Sequence, residues 1–151
     1  MTVQEISPGL ARHIVQRMGE TGQPPERGAL AAYVGTEAML QVLREEYLVP
    51  MKATGRNSSF KLVQAPFGGG KTHFLHCLRE IAWQEGFATA LVGISPDACP
   101  FDDPEAIYRE VASNLELPPQ GPEEDPQPGI DVVLRCIVQD KTGKHGAPAV
   151  R

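Results

Sequence analysis

The stretch "VQAPFGGGKTHFLHCL", residues 63–78, decides how the rest of the chain is read. Three consecutive glycines, a lysine and a threonine lead into apolar residues at helical spacing. The order approximates G-x-x-x-x-G-K-[ST], a loop whose backbone N–H groups curl around phosphate oxygens at the start of a helix. Gly68, Gly69 and Gly70 supply the bare backbone that such a curl requires. Lys71 can then reach the β- and γ-phosphates, and the Thr72 hydroxyl can hold Mg²⁺. Ala65 stands where the pattern has its first glycine. A small residue is tolerated there at negative φ; a need for positive φ would cost about 1 kcal/mol. By chance alone, a loop of this form with Gly or Ala first arises in a chain of this length roughly 1–2% of the time. A strand before it and an amphipathic helix after it make chance a poorer account still.

Working outward, "FKLVQ" (60–64) reads as a short strand entering the loop. Phe74, Leu75, Leu78, Ile81 and Ala82 mark one face of a helix after it, with Gly86 as its stop. "FATALVGIS" (87–95) is an almost unbroken apolar run of strand length, as expected of a strand covered on both faces. Strand, loop, helix and strand make one βαβ unit with parallel strands. Upstream, Ser7-Pro8 caps a helix carrying Leu10, Ile14, Val15 and Met18, which reaches about Gly19. After a loop at 21–28, Thr36 caps a second helix with Met39, Leu40, Leu43 and Tyr47 on one face, ended by Pro50. Residues 51–59 read as a polar connector.

Downstream, Asp103-Pro104-Glu105 opens a helix whose buried side is Ile107, Tyr108, Val111 and Leu115. Residues 118–129 are Pro-rich and acidic, and Glu123, Glu124 and Asp125 read as a solvated loop. Ile130, Val133, Leu134, Ile137 and Val138 have the spacing of a last helix before an uninformative tail. The expected divisions are a helical lead-in over 1–58, the loop-bearing unit and its following helix over 59–117, the loop at 118–129, and a helix and tail over 130–151.

The whole chain of 151 residues is 41% hydrophobic and 22% charged, ordinary for a globular domain. A formal net charge of −5 gives no overall basic field to gather nucleic acid. No apolar run is long enough to span a bilayer, and "MTVQEISPGL" lacks the order of a signal peptide. Cys77, Cys99 and Cys136 are odd in number and without C-x-x-C spacing, so reduced thiols in a cytoplasmic protein are expected. His73, His76 and Cys77 share helical spacing suited to a metal, yet no fourth ligand is evident and packing explains them better. Residues 44–47 read as the wet face of the second helix, and Trp83 and Phe87 as packing residues.

From "FKLVQAPFGGGKTHFLHCLREIAWQEGFATALVGISPD" to "IYREVASNLEL", the chain resembles the ATP-binding proteins of bacterial BREX-type phage-defence systems, the BrxD-like family of AAA-type P-loop ATPases. Phe67, Gly68, Gly70, Lys71, Thr72, Phe74 and Leu75 match that family's loop, and Gly35 and Glu37 match its Val-Gly-x-Glu segment. The likeness covers roughly residues 10–117. It implies an α/β P-loop NTPase core, here incomplete, with helices before the first βαβ unit. It further implies ATP and Mg²⁺ as ligands, other defence-system proteins as partners, and DNA as an indirect one. It also implies that Val34 and Gly35 lie near the adenine.

Hydrolysis needs an acidic residue at a neighbouring strand end to hold Mg²⁺, and a carboxylate to activate water. Asp97, just past the second expected strand, is a candidate; strand ends also carry Asp as a turn former. Asp140 ends "VVLRCIVQD", whose Arg135 and Gln139 fit a helix better than a buried strand. The expectation is therefore a nucleotide-binding part without its acidic strand, with hydrolysis by this chain alone in doubt. The rivals are a small complete phosphotransferase using Asp97, and a non-catalytic module that docks on a partner chain.

Overall fold

The computed structural model describes residues 7–55, 58–120 and 127–141. The chain divides into two compact units between Glu85 and Gly86.

In the first unit, α1 (Pro8–Thr21) begins as its sequence requires. The Ser7 side chain accepts the Leu10 N–H at 3.2 Å, and Pro8 occupies the first turn, where no amide is needed. Gly22 closes the helix in the left-handed conformation, its N–H donating to the Met18 carbonyl. Of the expected stripe, Ile14 is buried, whereas Val15 is 72% exposed.

The second expected helix is longer than its proline suggests. α2 (Glu37–Leu43) passes through a π-helical turn, Arg44–Leu48, into α3 (Val49–Thr54), so Pro50 does not end it. The reason is local. A proline removes one N–H from the ladder and crowds the carbonyl four residues before it. The π turn lets Val49 N–H reach back to the Arg44 carbonyl and resets the ladder just ahead of Pro50, which falls in the first turn of α3. The start of the connector expected over 51–59 is thus helical up to Thr54.

α4 (Lys71–Gln84) follows the glycine loop and forms the spine of this unit. Its Phe74, Cys77 and Ile81 pack with Ala29 and Leu40 in one buried cluster, against which Leu30, Tyr33, Leu43, Leu48, Val63 and Leu78 also rest. The C-terminal end is held electrostatically: buried Glu85 accepts from Arg44 Nε at 2.6 Å and lies 3.8 Å from Lys52 Nζ.

The strand expected at 60–64 is not in a sheet. A strand is defined by a ladder with a neighbour, and residues 58–66 pair with none of the described residues. Phe60 and Leu62 are accordingly exposed, while Val63 alone touches the core.

In the second unit, the apolar run at 87–95 contributes only β1 (Thr89–Ala90). α5 (Pro104–Ser113) starts on Asp103, whose Oδ1 accepts the N–H groups of Glu105 and Ala106 at 3.0 Å each. β2 (Leu115–Glu116) pairs antiparallel with β1, Thr89 opposite Glu116 and Ala90 opposite Leu115. The expected parallel βαβ pairing is therefore replaced by a short antiparallel pair. Leu115 belongs to this strand rather than to the helix, and Tyr108 stands exposed. α6 (Ile130–Lys141) is the helix expected from its spacing and includes Asp140; the Gly129 N–H ahead of it donates to the Leu115 carbonyl at 2.9 Å. Helices with one small sheet are compatible with a partial α/β domain. The acidic triplet at 123–125 and the tail beyond residue 141 lie outside the described residues.

Candidate functional site

The glycine loop turns into α4 through backbone that only glycine adopts without strain. Gly68 and Gly70 have φ of 77° and 74°. Gly69 is required for a different reason. A Cβ there would lie 3.0 Å from both the Ala65 methyl and the Pro66 carbonyl oxygen, which already accepts the Gly69 N–H. Ala65 itself is unstrained, since no described residue other than glycine has positive φ. Its departure from the usual pattern thus carries none of the conformational penalty considered above.

Helix α4 has no side-chain cap at Gly70; its first intrahelical donor is the Phe74 N–H, bonded to the Gly70 carbonyl. The amides of the turn before Phe74 therefore face outward at the positive end of the helix dipole. Residues 68–72 are all exposed. The Lys71 ammonium folds back over the loop and donates to the carbonyls of Ala65 at 2.9 Å and Pro66 at 2.8 Å. Open amides, a helix N-terminus and a cation in one place can hold an anion with several oxygens. The exposed Thr72 hydroxyl beside them is an oxygen ligand of the kind Mg²⁺ takes.

A second group of contacts joins this helix to the segment before α2. Both carboxylate oxygens of Glu80 are used: Oε1 accepts the Ala29 N–H at 2.8 Å and Oε2 the Leu30 N–H at 3.1 Å. His73 Nε2 lies 3.1 Å from the Ala29 carbonyl oxygen, which can only accept, so that ring nitrogen carries the proton. The Tyr33 ring stacks on His73, with centroids 5.4 Å apart and planes inclined by 22°. Burial, then the nearby Cys77 and Glu37, raise the Tyr33 hydroxyl above its ordinary pKa. Val34 follows, 89% exposed, and then Gly35 at φ 111°. The Glu37 carboxylate accepts the Gly35 N–H through both oxygens, at 3.0 and 2.9 Å. Bonding to its own amide and to that of Gly35 holds the Glu37 carboxyl below the usual range.

Sequence reasoning missed Glu80 and Tyr33. The available signal was Glu80's place seven residues after His73 and three after Cys77, on the edge of a buried face where a carboxylate needs partners. His76 and Cys77 are buried, and burial pushes the Cys77 thiol up to about 12. Among the described residues no group of three or more His, Cys, Asp or Glu side chains could hold a metal ion.

Asp97 lies in the second unit, exposed in a tight turn. Ser95 and Cys99 bridge that turn with bonds of 3.1 and 3.2 Å, and the Ser95 hydroxyl accepts the Ala98 N–H. The same unit has an open groove of 710 Å³ beside Tyr108 and Ile130. The charges along it are already paired, Glu105 with Arg109 at 2.8 Å and Asp131 with Arg135, and none of the loop residues lines it.

The geometry places an exposed glycine loop and a lysine at an uncapped helix N-terminus, with a second segment fastened to the same helix. The family model described as BREX system ATP-binding protein BrxC/D matches residues 6–124, and the chain belongs to that family. No curated protein and no solved structure matches the chain. No described helix is long and apolar enough to cross a membrane.

Proposed function

We propose that this chain binds Mg-ATP as part of a BREX-type phage-defence system. The terminal phosphates sit in the backbone amides of residues 68–72, the Gly69 N–H exchanging its Pro66 acceptor for a phosphate oxygen. Lys71 neutralises their charge, and Thr72 offers its hydroxyl to the magnesium ion. Val34 and Gly35 lie beside the adenine. The observation that carries this reading is the uncapped start of α4 beneath an exposed glycine loop, with the Lys71 ammonium already folded onto it. Membership of the ATP-binding family supports the choice of nucleotide.

When bound, magnesium would offset the charge of the terminal phosphates. The chain's own residues do the rest: amides orient the phosphate oxygens, and Lys71 exchanges two carbonyl acceptors for anionic oxygens, which bind an ammonium more strongly. The proposal assigns no residue to water activation; Asp97 is exposed in a turn of the second unit. Contacts with other proteins of the defence system, and through them with DNA, belong to the same proposal and rest on the family. Fluorescence titration with a labelled ATP, with and without magnesium, tests the site. Tight binding that weakens when magnesium is chelated, and weakens less in Thr72→Val, is expected. Binding indifferent to both changes would remove Thr72 from the site.

A further inference from the structure

The contacts between α4 and residues 29–35 do more than pack a loop. Ala29 is fully buried, so its N–H needs a protein acceptor, and Glu80 supplies one across 51 positions of sequence. The other Glu80 oxygen takes the next amide, and His73 takes the carbonyl of the same Ala29. Both peptide groups flanking Ala29 are thereby fastened to α4. His73 is only two residues past Lys71, in the first turn of the helix, so the fastening begins at the phosphate end. From there the Tyr33–His73 stack leads directly to exposed Val34 and to Gly35, whose amide is fixed by Glu37. Each link is a hydrogen bond or a ring contact, and the exposed end is an apolar side chain next to bare backbone. That surface suits the face of a flat heterocycle.

We infer that His73 and Glu80 are positioning residues that hold the Tyr33–Gly35 segment at a set place relative to the phosphate loop, so that one nucleotide can touch both. This rests on the reading of residues 68–72 as the phosphate site. It requires that loosening the clamp weaken binding of the base while leaving the phosphates bound. A purely structural role would affect both alike.

The test is calorimetric titration of the full chain with Mg-ATP and, separately, with Mg-tripolyphosphate, which has the phosphates and no base. Wild type, Glu80→Gln and His73→Ala are compared. Wild type is expected to bind ATP more tightly than tripolyphosphate. Each variant is expected to lose about five- to tenfold in ATP affinity, the size of one lost hydrogen bond, with tripolyphosphate affinity unchanged. His73→Gln, which keeps an N–H donor, should recover part of the loss. Equal weakening of both ligands, or no change in ATP affinity in either variant, would overturn the inference. If Glu80→Gln fails to fold, the ratio measured for His73→Ala decides. Failure of wild type to bind tripolyphosphate would instead remove the phosphate site, and this inference with it.

Discussion

The Lys71 ammonium donates to the backbone carbonyl of Ala65 at 2.9 Å, so the residue that breaks the usual loop pattern serves the lysine through its main chain. Its φ is not positive, so alanine adds no backbone strain there. Ala65→Gly should therefore leave ATP affinity within about twofold. It should also lower stability by roughly 0.5–1 kcal/mol through the added freedom of the unfolded chain. Titration and urea unfolding measure the two effects; a tenfold gain in affinity would show that alanine had been impairing the loop.

Gly69 should behave in the opposite way. With 3.0 Å to both Ala65 and the Pro66 carbonyl, an added methyl must displace backbone. Gly69→Ala is expected to lower ATP affinity at least tenfold, on the order of the 1–3 kcal/mol that overpacking costs. The rest of the fold should hold, since residues 68–70 are exposed. Unchanged binding by Gly69→Ala would mean that the loop opens in solution.

Burial lowers the His76 pKa, and the positive charges of Arg79, His73 and Arg17 act in the same direction against the opposing pull of Glu26. With the folded value below the unfolded value of about 6.5, the unfolded chain binds the proton more readily between the two. Stability is then full above about pH 6.5 and falls as pH drops toward the folded pKa, by at most about 1.4 kcal/mol per pH unit. Urea midpoints from pH 7.5 to 5 should show the decline, and His76→Leu should flatten it. A decline of equal slope in the variant would assign it to other groups.

At the far end of α4, Glu85 is buried while its partner Arg44 is half-exposed. Among the described residues, Arg44→Ala leaves the carboxylate with Lys52 at 3.8 Å as its remaining ion-pair partner. Destabilisation of about 1–2 kcal/mol is expected, less than for a fully buried pair because water reaches the arginine. Adding Glu85→Gln should remove part of that loss. A fully additive double variant would show that the two side chains do not interact.

The helices were legible because their causes are local. Ser7-Pro8 and Asp103-Pro104 each combine a capping oxygen with a residue suited to the first turn, and the 3.6-residue period marked the buried side of α4. Pro50 misled because the π turn that accommodates it has no sequence signature of comparable strength. Strands depend on neighbours. "FKLVQ" has strand composition, but nothing within it determines what pairs with it, and 87–95 forms a strand over Thr89–Ala90 with one isolated bridge at Ser95. The loop residues 68–72 were readable from glycine spacing. The clamp was not, since Glu80 and Ala29 are 51 positions apart and nothing local in the helix marks which acceptor serves those amides.

The central claim is that Lys71 and the loop amides form a working phosphate cradle. Calorimetric titration of the purified chain with Mg-ATP, beside Lys71→Ala and with phosphate release followed on the same samples, tests it most directly. Binding by wild type that falls at least a hundredfold in Lys71→Ala is expected, about 3 kcal/mol for a lost charge-assisted contact. Equal binding by the two proteins, or none by a folded wild type, would contradict the account.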